Sequence, residues 1–460
     1  MPRGAPRPGR SHGELPPRAD VLVLGGGPAG ASAAIALRRR GLSALVVERA
    51  EGPGARLGEH IAPPTLPLLS RLGVLDGVLA GGHRRSAGVR SAWGEPELRD
   101  RDYIACAEGE GFHLSRASFD AMLLDAAEAA GARVIRGAHP PPLARRGPSG
   151  WVARIGGDEL TFSVVVDATG RTASFARAQG ARRRAFDRLV GVAAFLTPRD
   201  AVALDDALWI EAVEGGWLYS APLAGDRLVV TLFADADALA ACGPAALAGA
   251  LLAQSTHTAA RIAPFSPARE WHVRPACSEV SDPIAGPGWL AVGDAATARD
   301  PLSSSGIAHA LEDAIDAAAA IEAHLGGDAQ SLSRYAAARR RAFDDYLSTR
   351  ARYYRLEQRF PGSPFWRSRW WSSPEETPVS LDPRARLRLA PRGLQRARGA
   401  SPELPAGVDV EALCSAAERG APAHAIVAAY RAAHPAGASD RAVIVAVQAL
   451  LARGIFESVG

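Results

Sequence analysis

The chain has 460 residues, 47% of them hydrophobic, with a formal net charge of +4. That length leaves room for two or three domains and a sizeable core, and no apolar run is long enough to form a helix across a bilayer, so no membrane partner is expected. All 53 basic residues are arginine and the sequence contains no lysine, a compositional bias rather than a binding design, so runs such as Arg38–Arg40 and Arg182–Arg184 read as solvated faces and no nucleic-acid partner is expected.

Residues 1–18 are rich in Pro, Gly and Arg, lack an apolar signal-peptide region and read as a disordered tail. Cys106, Cys242, Cys277 and Cys414 are widely spaced with no CxxC, which predicts reduced thiols in a cytoplasmic protein and no metal site. The first element is a buried strand, Val21 to Leu24, running into Gly25-Gly26-Gly27-Pro28-Ala29-Gly30 and an Ala-rich helix to Arg39. Gly25 permits a tight turn, Gly27 lets a pyrophosphate approach the backbone, and Gly30 lets helix and strand pack closely. The next strand, Ala44 to Glu48, ends in an acid about 20 residues on, where a carboxylate meets a ribose hydroxyl. These features predict a site for an adenine dinucleotide.

Two later segments favour FAD over NAD. One is Val164-Val-Val-Asp167-Ala168-Thr169-Gly170-Arg171, a strand running into a turn. The other is Gly293-Asp294-Ala-Ala, followed by Pro301-Leu-Ser303-Ser304-Ser305-Gly306-Ile307 and a long helix. An acid at a strand end can hold a ribityl hydroxyl, and a helix N-terminus can face the electron-rich edge of a flavin. Between them, Leu208 to Ala234 reads as strands separated by Gly215-Gly216 and Gly225-Asp226 turns. Trp217 and Tyr219 fit either a pocket for an aromatic substrate or a core, and Trp209 reads as core. Glu59, His60 and His309 are the candidate proton acceptors, although each taken alone reads more readily as a structural or exposed residue.

A long helix spans roughly Ser331 to Gln358, with Tyr335, Phe343, Tyr346, Tyr353 and Tyr354 suggesting a packed face. The connector 359–380 is rich in aromatics, which suits packing against a domain surface or a lid. Three short helices follow, Asp409–Glu418, Ala421–Ala433 and Asp440–Ala452, with Gly454 ending the last before Ile455-Phe456. The last helix is apolar with one internal arginine, Arg441, which disfavours DNA reading.

The GGGPAG, DATG and GDA segments, in that order, resemble the FAD-dependent monooxygenases and flavin halogenases over about Arg18 to Gln358. The resemblance implies an α/β fold: a Rossmann-like FAD-binding domain of the GR2 type with an inserted antiparallel-sheet substrate domain and a small, mainly helical C-terminal module. The FAD domain is expected over about 19–85, 112–188 and 274–358, the substrate domain over 86–111 and 189–273, and the C-terminal module over 381–460. Besides the residues above, the family pattern implies cofactor contacts from Arg49, Arg56, Arg116, Ala168, Gly170, Pro301, Ser305, Gly306 and Ile307.

Within that family, Gly58-Glu59-His60 with Pro63 to Gly73 looks like the flavin loop and first long helix of tryptophan halogenases. Trp217-Leu-Tyr219-Ser-Ala-Pro222 and Pro301 to Ile307 resemble their tryptophan-rich motif and halide loop. Their catalytic lysine is matched here by Ser86 and their halide-loop carboxylate by Ser303. Arginine cannot replace that lysine, because its guanidinium stays protonated, so halogenation is disfavoured. The C-terminal pattern is similar to the winged-helix peptide-recognition domains that accompany enzymes modifying ribosomal peptides; a helical cap is the alternative.

Halogenase-like flavoproteins without the lysine include the tryptophylquinone maturases of quinohaemoprotein amine dehydrogenase and of the lysine- and glycine-oxidase systems. This resemblance implies a monooxygenase that uses O2 through a flavin hydroperoxide to hydroxylate a Trp in a partner peptide or protein. Electrons would come from NAD(P)H directly or through a separate reductase. The alternatives are a small-molecule aromatic monooxygenase or dehydrogenase and, further off, a halogenase or a non-catalytic FAD-binding module.

Overall fold

Strand Arg18–Leu24 lies in the middle of a sheet, with Val21, Leu22 and Val23 inaccessible to solvent. Near-continuous apolar runs of this kind suit parallel strands covered on both faces. It pairs in parallel with Ala44–Glu48 on one side and Asp158–Asp167 on the other. The parallel set continues outward to Arg133–Arg136 and Trp289–Ala291. Antiparallel strands Leu143–Arg146 and Gly150–Ile155 run onto the first half of Asp158–Asp167, and Ala285–Gly286 pairs with Trp289–Ala291 at an edge. Helix Pro28–Arg39 packs against both Arg116–Ala129 and Gly306–Leu325.

In this computed structural model, residues 17–52, 57–147, 150–155, 157–370, 386–390, 408–417, 420–434, 440–452 and 455–459 are described. They form two units, residues 1–346 with 356–367 and residues 347–355 with 368–460. No helix among the described residues is long and apolar enough to cross a membrane.

Inserted in the first unit is a seven-stranded sheet. Its order is His272–Pro275, Leu189–Leu196, Leu228–Asp235, Gly216–Pro222, Ala207–Val213, Gly88–Ala92 and Arg99–Asp102. Every pairing is antiparallel except that of Ala207–Val213 with Gly88–Ala92. The turn at Gly225-Asp226 requires positive φ at both residues, 73° and 53°, which explains glycine at the first and an Asp at the second. One face is covered by helix Pro244–Leu252, whose Leu247, Ala248 and Leu251 pack on Val192, Leu218 and Leu232. By the two-residue period of a strand, Trp217 and Tyr219 point to the other face. A small antiparallel sheet, His60–Ile61, Gly111–His113 and Arg84–Ser86, carries the residues described below.

Two expectations need correction. The segment after His60 does not form one long helix: a short 3-10 turn, Pro63–Thr65, leads into helices Leu66–Arg71 and Leu75–Ala80, separated at Gly73 with φ 62°. The long helix runs Ser331–Leu356, and its aromatics do not share one fate. Tyr335 donates to the Ala291 carbonyl at 3.0 Å and Phe343 is buried, but Tyr353 is 46% exposed. In the connector, Trp366 is buried and donates to the Val213 carbonyl at 2.9 Å, with Phe360 stacked on it. Trp371 lies outside the described residues.

The second unit has its own core. Helices Val410–Ala417, Ala423–Ala433 and Asp440–Ala452 accompany an antiparallel sheet in which Arg386–Leu389 lies between Ala421–Pro422 and Phe456–Val459. Leu387, Leu413, Ile426, Val447, Leu450 and Phe456 form the centre of that core. The middle helix starts at Ala423 because Ala421 and Pro422 pair with the sheet. Gly454 and Glu418 lie outside the described residues.

Candidate active site

The three glycine-bearing motifs, distant in sequence, meet at the start of the first helix. Gly25 has φ 107°, and a Cβ there would lie 2.4 Å from the Ala168 carbonyl oxygen. A Cβ on Gly30 would lie 1.9 Å from the Gly25 oxygen, and one on Gly293 would lie 2.8 Å from the Ala29 Cβ. Gly27 caps helix Pro28–Arg39, with Pro28 in the first turn, where its missing N–H costs no hydrogen bond. The N-terminal amides of that helix are the natural seat of a pyrophosphate. Glu48 accepts from the Gly26 N–H at 2.5 Å and the Ala50 N–H at 2.8 Å, which places its carboxylate beside the glycine turn. Arg49 is exposed next to it, and Arg56 lies outside the described residues.

Asp294 stands on a 3-10 turn, Gly293–Ala295, with its side chain 46% exposed and Arg171 3.7 Å away. Asp167, by contrast, is consumed locally: it accepts from the Thr169 N–H and hydroxyl and from the Ala176 N–H. Pro301–Ser303 forms another 3-10 turn, Ser303 and Ser305 share a hydroxyl hydrogen bond of 2.7 Å, and Gly306 opens helix Gly306–Leu325 at Ile307. This cradle fits FAD, because Gly25 and Gly30 bring the strand ends and the helix start together more closely than side chains would allow, and the carboxylates of Glu48 and Asp294 stand on the adjoining segments. Sequence reading missed what holds Gly293. Asp313, buried in that helix, accepts from the Gly293 N–H at 3.1 Å and from Arg339 at 2.6 Å.

Arg116 is tied to the chain rather than left open. Its guanidinium donates to the carbonyls of Leu57 and Gly58 and pairs with Asp120 at 3.1 Å. It therefore clamps the loop that leads into Glu59 and His60. Glu59 is buried, with Oε2 accepting from the Gly58 N–H at 3.1 Å and Oε1 left without a partner. Burial raises its carboxyl from 4.5 to about 7, against the opposing charge of Arg116.

His60 Nε2 lies 3.1 Å from the Ser86 hydroxyl, and its ring is 5.4 Å from that of His113 and stacked at 6.2 Å on Tyr103. His113 Nε2 faces the Asp206 carbonyl at 3.1 Å, so that nitrogen carries the hydrogen and Nδ1 is a bare acceptor. Burial pushes His60 to about 3, helped by His113, and pushes His113 to about 4, helped by the charges of Arg261 and Arg84. Both imidazoles are neutral at pH 7.

Tyr219 joins this cluster from the seven-stranded sheet. Its hydroxyl is buried without a partner and raised well above 10, first by burial and then by the nearby Glu59 charge. Glu59 Oε1, His60 Nδ1, His113 Nδ1 and Tyr219 OH are thus four buried polar atoms lacking partners. Each such atom costs about 1–3 kcal/mol unless something hydrogen-bonds to it.

The other predicted catalytic residues lie elsewhere. Trp217 is fully buried, stacked on Phe233 at 3.9 Å and edge-on to Trp93, which makes it a wall of the core. Gly191 leaves room for the Phe233 ring, since a Cβ there would come within 2.9 Å of it. Trp209 points to the opposite face, where Arg261 lies over its ring at 4.4 Å. His309 is held between Arg299 and Glu312, whose carboxylate is 3.6 Å away.

The glycine cradle and the carboxylates of Glu48 and Asp294 around it suit an FAD-binding flavoprotein. The chain belongs to the FAD binding domain family, whose model matches residues 18–349. It is similar to LodB of Marinomonas mediterranea, named as an FAD-dependent oxidoreductase, with 28% identity over 365 residues that cover 76% of this chain and 96% of LodB. Tryptophan 2-halogenase of Chondromyces crocatus is 28% identical over 339 residues, covering 70% of this chain and 64% of the halogenase. Among solved structures, the peptidyl tryptophan dihydroxylase QhpG, essential for tryptophylquinone cofactor biogenesis, matches with a TM-score of 0.64 and 26% identity. The match covers 81% of this chain and 83% of QhpG. The protein is a halogenase-like flavoprotein oxidoreductase.

Proposed function

We propose that this protein is an FAD-dependent monooxygenase that hydroxylates an electron-rich aromatic ring, a tryptophan side chain within a partner polypeptide. The observation that carries the reading is Ser86. The sequence resemblance matches Ser86 to the halogenases' lysine; here its hydroxyl is buried against neutral His60, and no lysine exists anywhere in the chain. The kinship with QhpG supports a peptidyl tryptophan as substrate. The C-terminal unit, in whose described residues helices Val410–Ala417, Ala423–Ala433 and Asp440–Ala452 accompany a three-stranded sheet, suits a peptide-binding role.

Bound FAD, once reduced by NAD(P)H or by a reductase, would activate O2 for oxygen transfer to the ring. Gly25, Gly27 and the N-terminal amides after Pro28 would hold the pyrophosphate, Glu48 the ribose and Asp294 the ribityl chain. Arg116 keeps the 57–58 loop in place.

The test is affinity capture of the tagged protein from its own cells, followed by reduction, aeration and mass spectrometry of the bound polypeptide. One or two oxygen atoms added to a Trp would support the reading. A bromide- or chloride-dependent mass gain would overturn it, and turnover of free indoles or phenols alone would move the assignment to a small-molecule monooxygenase.

A further inference from the structure

We propose that Glu59, with the Tyr219 hydroxyl beside it, is the proton acceptor of this site, and that the ring it serves carries an acidic N–H or O–H. The inference rests on the monooxygenase reading above and identifies the group that completes it. Among the described residues, Glu59 is the one buried carboxylate with a fully buried oxygen lacking a partner. Other buried acids are occupied: Asp167 by three donors, Glu211 by the amides of Thr256, His257 and Thr258, and Asp313 by Gly293 and Arg339.

The carboxyl is held from behind. Gly58 N–H donates to Oε2, and the Leu114 N–H donates to the Glu59 backbone carbonyl at 2.5 Å. Oε1 is left for a ligand. Tyr219 arrives from a different sheet, and its hydroxyl is the second unpartnered group. The histidines are poor competitors for a proton. His113 already donates from Nε2 to the Asp206 carbonyl, and a charge on either ring would be buried beside the other. The charged and titratable groups around Glu59 are Arg116 from its helix, Tyr219 and Tyr103, with His60, His113 and Arg261 farther along the cluster.

The step balances as follows. The ring's π electrons form the new C–O bond to one atom of O2. The other oxygen atom leaves as water, and the two electrons required come from reduced FAD. The proton lost as the ring regains aromaticity, from ring carbon or from N–H, passes to Glu59 Oε1. An N–H or O–H donor pointing at Oε1 orients the ring and raises its electron density as the proton is drawn away.

The test uses the FAD-loaded full chain, wild type and Glu59→Gln, with indole and 1-methylindole as probes. Flavin absorbance reads probe binding, and infrared difference spectra read the carboxyl directly. Wild type is expected to lose a carboxylic C=O band as the pH passes through about 7, and the variant is expected to lack that band. Indole should bind wild type about tenfold tighter than 1-methylindole, the worth of a hydrogen bond to a charged group, with no such preference in Glu59→Gln. On an oxygenated acceptor, the variant should still consume O2 but form about 10²-fold less product, without the wild-type rise with pH.

A band that persists in the variant, or an unchanged preference or product yield, would overturn the proposal. Failure to oxygenate any aromatic acceptor would sink the monooxygenase reading instead, while the infrared band and probe preference would still decide the role of Glu59. Should Glu59→Gln fail to load FAD, Tyr219→Phe, which removes one oxygen atom, is expected to shift the carboxyl band and weaken indole binding, and an unshifted band would count against the pair.

Discussion

Arg339 offers an internal comparison, because it bridges two aspartates of one helix that differ chiefly in burial. Its Nη1 lies 2.6 Å from Asp313 and its Nη2 2.8 Å from Asp316, whose side chains are 1% and 45% exposed. Asp313 also accepts from the Gly293 N–H, so it fastens the turn that presents Asp294. In Asp313→Asn the side chain keeps its shape, but its NH2 must face either the Gly293 N–H or the guanidinium, both donors. Breaking a buried pair from one side costs about 3–5 kcal/mol. At about 2.1 cal/mol/K of unfolding entropy per residue, a unit of this size loses roughly 1–2 °C per kcal/mol, so the melting temperature should fall by roughly 3–10 °C. Asp316→Asn, at the exposed end of the same arginine, should cost under about 1 kcal/mol and shift it by no more than a few degrees. Thermal melts followed by circular dichroism, with flavin fluorescence reporting FAD release, measure both effects. Equal, small shifts for the two variants would refute the reasoning, because burial would then not govern the cost.

Gly30→Ala should weaken FAD binding by roughly 5- to 150-fold, the equivalent of about 1–3 kcal/mol of overpacking, because the new methyl meets the Gly25 carbonyl rather than a movable side chain. Isothermal titration of the apoprotein with FAD checks it. For stability against pH, Glu59 and the two histidines act in opposite directions. Between about pH 5 and 6.5 the folded chain holds a proton on Glu59 that the unfolded chain has lost, which favours folding as the pH falls. His60 and His113 are protonated only after unfolding, which disfavours folding in the same range. Glu59→Gln should therefore steepen the loss of stability on acidification by about 1.4 kcal/mol per pH unit, as read from urea unfolding at several pH values. Tyr430→Phe in the second unit leaves the Asp409 N–H without the hydroxyl it now reaches at 2.7 Å. It should cost about 1 kcal/mol in denaturant unfolding.

The nucleotide-binding half of this protein was legible in its sequence because the cues are local. A strand of four apolar residues, glycines at fixed offsets and an acid at the next strand end each act within a few residues of one another. The same locality made the Gly225-Asp226 turn and the last three helices readable. The segment from Pro63 to Gly73 was less so, since it forms a 3-10 turn and a six-residue helix, and Tyr353 faces solvent although its neighbour Tyr354 is buried. Trp209, Trp217 and Tyr219 lie on adjacent strands with similar aromatic character. Only the strand pairing shows that Trp209 faces the outer helices, that Trp217 is locked against Phe233 and that Tyr219 reaches the polar cluster.

By itself, then, the sequence determined the cofactor class, the order of the elements and the missing lysine. The tertiary structure alone decided which acid is buried with an oxygen left without a partner. Glu59 and His309 read alike as isolated titratable residues, but a side chain's protonation depends on what surrounds it in space. Burial beside Arg116 and Tyr219 sets Glu59 near neutrality, whereas Arg299 and Glu312 occupy His309. Arg116 and Tyr219 come from segments far from Glu59 in the chain, and the fold brings them together.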